Sequence, residues 1–68
     1  MDNYYVDKAP QFSGEHEVHI GSCKHLPKKE NLIDLGSFSN CSKAMKEAKK
    51  QFEKVNGCYY CCLLFHKR

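Results

Sequence analysis

The chain has no tryptophan and no apolar run near the roughly 18 residues a membrane span needs. Its four glycines stand alone at positions 14, 21, 36 and 57. Each absence excludes something. The longest apolar run, residues 58–65, is long enough for a buried strand and too short to cross a bilayer. Isolated glycines exclude a Walker loop or a dinucleotide fingerprint, which need clustered glycines to bring backbone amides against phosphate. The opening Met-Asp-Asn-Tyr-Tyr has neither the basic region nor the apolar core of a signal peptide, so a soluble cytoplasmic protein is expected. Charge of one sign is also scarce. Eleven Lys plus Arg against eight Asp plus Glu leave +3, below what a dedicated duplex-DNA arm carries. No internal repeat or low-complexity tract is visible.

What is present is a composition that folds: 41% hydrophobic and 28% charged, with four Tyr and four Phe. Sixty-eight residues cannot divide a core, so residues 1–68 are read as one small domain. A domain of this size often needs a staple, either zinc, a disulfide or a second copy of itself. There are five cysteines. The odd number, without a secretion signal, argues against a disulfide framework and for reduced thiols or a metal.

The expected elements are β-β-β-α-β, an α+β fold with a small antiparallel sheet and one amphipathic helix on one face. Tyr4-Tyr5-Val6-Asp7-Lys8 is a first strand, stopped by Ala9-Pro10. In Glu15-His16-Glu17-Val18-His19-Ile20 the alternation puts His16, Val18 and Ile20 on one face and Glu17 and His19 on the other, a second strand hairpinned to the first. Residues 21–31 read as a surface loop, and Leu32-Ile33-Asp34-Leu35-Gly36 as a third strand. Cys41, Ala44, Met45, Ala48, Phe52 and Val55 recur at spacings of three and four, the stripe of a helix capped by Ser39 or Asn40 and stopped at Asn56-Gly57. Its outer face carries Lys43, Lys46, Lys49, Lys50 and Lys54, relieved by Glu47 and Glu53. Residues 58–66 are expected as a closing strand buried on both faces. One helix covers only one face of the sheet. The other is expected to meet a second subunit in a homodimer.

Four groupings of residues invite chemistry. Cys58-x-x-Cys61-Cys62 with Cys23 is a candidate zinc set, but residues three apart on a strand point to opposite faces, and no Gly or Pro follows Cys61 to turn the chain. The sequence reading therefore favours buried free thiols, no metal and no cofactor, with zinc on Cys23, Cys58, Cys61 and Cys62 as the alternative. His16-Glu17-Val18-His19 lacks the four-residue histidine spacing of a metalloprotease helix. Cys23 with His19 or His25 has the parts of a thiol nucleophile without a third group to orient the base, so an enzyme is not the primary reading. Tyr5, Tyr59 and Tyr60 with Glu17, His19, Lys24 and His25 make a candidate ligand-binding set, because aromatic rings stack on bases while Lys and His hold phosphate. Lys28, Lys29 and the terminal His66-Lys67-Arg68 add positive potential.

Tyr4-Tyr5-Val6-x-Lys8, His16-Glu17-Val18-His19, Gly21-x-Cys23, Leu26-Pro27, Glu30-Asn31, Leu35-Gly36-x-Phe38-Ser39-Asn40-Cys41, Glu47-Ala48-Lys49-Lys50 and Gly57-Cys58-Tyr59-Tyr60-Cys61-Cys62 form a pattern across nearly the whole chain. It resembles a family of short bacterial and phage proteins generally described as hypothetical. In that family pattern the double cysteine is commonly followed by Pro, an acidic residue, Cys and His, where this chain has Leu63-Leu64-Phe65-His66. Losing a potential ligand while keeping the pattern argues against a metal requirement. In element order the chain is also similar to the YegP-like small domains, a likeness that implies sheet-mediated dimers and says nothing of activity. The resulting expectation is a non-enzymatic homodimer that sequesters a small anionic, nucleotide-type ligand, as in phage counter-defence. A zinc-stabilised interaction adaptor and a Cys-based redox or hydrolytic enzyme using Cys23 or Cys61 are the alternatives.

Overall fold

The structure, a computed structural model, describes residues 1–62. Strand β1 (Asp2–Asp7) pairs antiparallel with β2 (His16–Ile20) on one side and β3 (Leu32–Phe38) on the other. Helix α1 (Cys41–Ala48) follows, and then β4 (Val55–Gly57), giving the sheet order β3-β1-β2-β4. A short 3₁₀ turn, Lys29–Asn31, precedes β3. The small α+β domain with one helix is therefore present, with three differences from the expectation.

First, the sheet is mixed, because β4 lies parallel to β2. The helix dictates this. Since β3 and β2 are both antiparallel to β1, they point the same way. A helical crossover returns the chain to the end of the sheet where β3 began, so the next strand runs parallel to both.

Second, α1 ends at Ala48. Lys50 and Gln51 donate three residues back, to Glu47 and Ala48, and the chain unwinds in a tight turn. Asn56-Gly57, expected as the helix stop, lies within β4. Cys41, Ala44 and Ala48 are buried against the sheet as the stripe requires. Phe52, past the helix, stacks on His16 at 3.7 Å, and Val55 is a strand residue.

Third, no closing strand runs on from residue 58. Residues 59–61 form a turn in which the Cys62 amide donates to the Cys58 carbonyl at 2.8 Å. The rest of the expected strand, residues 63–66, and the tail to Arg68 lie outside the described residues.

Asn40 caps α1, its Oδ1 accepting from the Lys43 amide at 3.0 Å. Asn40→Ala is expected to cost about 1 kcal/mol, read as a fall in Tm of roughly 4–8 °C. At the β1–β3 pair the register shifts between Tyr4 and Tyr5, leaving Leu35 as a bulge that points into the core. Gly36, next to it, has φ +103, a conformation closed to residues with a side chain.

The core lies between α1 and one sheet face: Tyr4, Val6, Val18, Leu35, Ala44, Ala48 and Val55, joined by the Cys41–Cys62 disulfide. The disulfide corrects the expectation of unpaired thiols at those two positions. These side chains are mostly small, so apolar burial alone stabilises the domain weakly. The opposite sheet face carries Glu17 and His19, as the alternation of β2 requires. It is met by residues of the 21–31 loop and of the turn after β4. Residues 59–61, expected within a closing strand, form a turn on that side instead.

Candidate metal centre

Strand β2 presents His19 on the face away from the helix. Four residues on, just past the end of β2, the Cys23 amide donates to the Ile20 carbonyl at 3.0 Å, and this turn brings the Cys23 thiol back toward the sheet. From the other side, β4 delivers Cys58, whose amide extends the parallel ladder by donating to the Val18 carbonyl at 3.0 Å. The following turn brings Cys61 round to the same place. One ligand atom from each of His19, Cys23, Cys58 and Cys61 falls within 4.8 Å of the other three.

One separation matches a tetrahedral ion directly. Zinc–sulfur bonds of about 2.3 Å place two sulfurs on a tetrahedron roughly 3.8 Å apart, and the Cys23 and Cys58 sulfurs are 3.8 Å apart. The sulfurs are also fed by amides, as metal-bound thiolates are when a turn wraps them. Cys61 Sγ accepts from the Ile20 amide at 3.3 Å and Cys23 Sγ from the His25 amide at 3.4 Å, while the amides of Tyr60 and Cys61 point at the Cys58 sulfur.

His19 is the most telling member. Its side chain is 2% exposed, and among the described residues neither ring nitrogen has a hydrogen-bond partner. A buried imidazole without partners loses its solvation with no return, which native structures rarely leave uncompensated. The nearest charge is Glu17, whose Oε1 lies 3.6 Å from His19 Nε2. Burial lowers the imidazole pKa, and burial pushes the Cys58 thiol up and Cys61 up to about 12. At neutral pH these groups are electrically neutral unless a cation is among them. A divalent ion reverses that balance by stabilising thiolates directly.

The residues expected as one ligand site divide into three places. His19 belongs to the metal cluster, and Glu17 lies beside it, its Oε1 3.6 Å from His19 Nε2. His25 stacks on Tyr60 at 3.8 Å and Tyr59 meets Tyr60 edge-on at 5.2 Å, all three exposed, with Lys24 exposed alongside. Tyr5, in register with His19, turns toward a cleft of about 510 Å³ that it lines with Leu26, Pro27, Lys29, Leu32 and Asp34. Of the alternative zinc set, Cys23, Cys58 and Cys61 converge. Cys62 does not, because its sulfur is bonded to Cys41, and His19 takes the fourth place. The objection that Cys58 and Cys61 must face apart fails because the chain turns there with neither Gly nor Pro. The sequence signal for His19 was its spacing: His19-x-x-x-Cys23 is a ligand pair of ordinary separation facing Cys58-x-x-Cys61. Searches against family models, curated proteins and solved structures matched nothing.

Proposed function

We propose that the chain is a zinc-stabilised, non-catalytic binding module, in which His19, Cys23, Cys58 and Cys61 hold one zinc ion. The observation that carries this reading is the buried imidazole of His19, without a hydrogen-bond partner among the described residues, with three thiols whose sulfurs lie within 4.8 Å of its ring nitrogen and of one another. Four protein ligands close a tetrahedral shell. Catalytic zinc sites instead leave a position for water or substrate. Hard cations are disfavoured by a sulfur-rich set, which selects zinc over magnesium or calcium.

Closure of the site also weighs against a thiol enzyme. A nucleophilic cysteine needs a lowered pKa and access, whereas Cys58 is buried and both it and Cys61 are shifted upward. The metal's role in this reading is architectural. It fastens the loop after β2 to the turn after β4 across a sheet face that carries no α-helix among the described residues, and so fixes the surface those two segments present to a partner.

Native mass spectrometry of protein purified without chelator tests this directly. One zinc per chain is expected, and the cobalt-substituted protein should show the intense visible d–d bands and thiolate charge-transfer absorption of tetrahedral sulfur coordination. A folded protein that carries no metal, and whose Cys23, Cys58 and Cys61 all react at once with a thiol reagent, would overturn the reading. The same spectrum reports subunit number and any co-purified nucleotide, on which the homodimer and sequestration readings stand or fall.

A further inference from the structure

The metal cluster accounts for Cys58 and Cys61 but not for the two residues between them. Tyr59 and Tyr60 are 53% and 66% exposed, at the tip of the turn. The other large, exposed hydrophobic residues among those described are Met1 and Phe12. Phe12 lies in the β1–β2 connection and Met1 at the chain start. The two tyrosines are different because their rings are held. Tyr60 lies over His25 with centroids 3.8 Å apart and planes 23° from parallel, and Tyr59 packs against Tyr60 at 89°.

His25 comes from the other side of the cluster, two residues after Cys23, whose sulfur accepts its amide. The ligand segments from the two sides thus each contribute to one aromatic array, oriented in advance. The loop that carries His25 also carries Lys24, Lys28 and Lys29, all exposed, with Glu30 as its one acid. Flat rings held in a stack, with the exposed Lys24 next in sequence to His25, complement a ligand that offers flat faces on an anionic chain. In a duplex those faces are consumed by pairing and stacking; in a single strand they are open.

We propose that Tyr59, Tyr60 and His25 form a stacking platform for unpaired bases of single-stranded nucleic acid, with Lys24, beside His25 in sequence, meeting a phosphate. The proposal rests on the zinc reading, because the metal is what joins the two segments that build the platform. It replaces sequestration of a free nucleotide by recognition of a strand.

The test uses the zinc-loaded full chain and labelled oligo-dT and oligo-U of about 15 nucleotides, with a duplex of the same length as competitor, read by fluorescence anisotropy. Binding to the single strands is expected, with the duplex competing poorly. Tyr60→Ala should weaken it by about tenfold or more while zinc content and Tm stay at wild-type values, because the ring it removes is exposed. Lys24→Gln should weaken all sequences alike and lower the salt slope by about 0.7, the loss of one phosphate contact. Oligo-dT and oligo-U distinguish a DNA from an RNA strand as the preferred source of the same chemistry. A zinc-loaded, folded protein that ignores both single strands, prefers the duplex, or binds as tightly with Tyr60→Ala overturns the platform and leaves the metal site standing. Absence of zinc is read separately, by mass, and overturns the metal reading.

Discussion

Stripping the metal with a strong chelator is expected to lower Tm by about 20 °C or more, with recovery on adding zinc back. A 68-residue domain is stabilised in total by roughly 3–10 kcal/mol. Structural zinc bound by a small domain contributes about 10 kcal/mol or more of apparent free energy at neutral pH, most of it expressed as folding. On the proposed zinc reading the balance falls heavily on the metal, because the core facing α1 is built largely from Val, Ala and Cys side chains. Cys58→Ser and His19→Ala should reproduce the effect of chelation, each removing a ligand from a closed shell, and His19→Ala without breaking any ring hydrogen bond, since the described residues supply none. Thermal melts by circular dichroism, with and without chelator, decide the matter. Superimposable curves would mean that the thiols and imidazole are held together by packing alone.

The second large effect is expected at the disulfide. Cys41 opens α1 and Cys62 follows the metal turn, and their bond closes a loop of 21 residues that contains the helix and β4. Removing a cross-link of that length frees the unfolded chain by about 3 kcal/mol. The Cys41→Ser/Cys62→Ser variant should accordingly melt roughly 12–25 °C lower while still binding one zinc. The pairing itself can be counted. In metal-free, denatured protein three thiols should titrate before reduction and five after it. Five before reduction would show that Cys41 and Cys62 are not bonded.

The elements that the sequence made legible are those fixed by local periodicity. The alternation of residues 15–20 put Val18 on the core face and His19 on the other, and the structure has that arrangement. The stripe at Cys41, Ala44 and Ala48 marked the helix and its buried side. Periodicity failed where it continued by accident. Phe52 and Val55 kept helical spacing after the chain had left the helix, because a residue that stacks on His16 and a residue that enters β4 both need apolar side chains. The apolar run from residue 58 resembled a strand for a similar reason. Cysteines count as hydrophobic in a pattern, and nothing in the pattern distinguishes a thiol packed in a core from one aimed at an ion.

The candidate site was legible in its parts and not in its partition. Cys23, Cys58 and Cys61 were recognisable as a ligand set, and His19 as a polar residue on the open face. What assembles them is the pairing of β2 with β4, which sets Val18 opposite Gly57 and so brings His19 and Cys58 side by side. That contact spans β3 and the helix, and it exists only once the crossover has made β4 parallel. A reading that ran the last strand antiparallel could not place those residues together.

Cys61 and Cys62 are neighbours in sequence, yet one sulfur faces the cluster on one side of the sheet and the other is bonded to the helix on the opposite side. On the proposed zinc reading, this gives the metal a part in the order of events during maturation. Five cysteines in an oxidising medium can pair wrongly in many ways, and the adjacent Cys61 and Cys62 invite exchange with each other's partners. A chain that takes up zinc first has three of its sulfurs occupied as thiolates, and the only pair left to oxidise is Cys41 with Cys62. The ion then acts as a protecting group. The fidelity of the disulfide is set by the sequence in which metal and oxidant arrive.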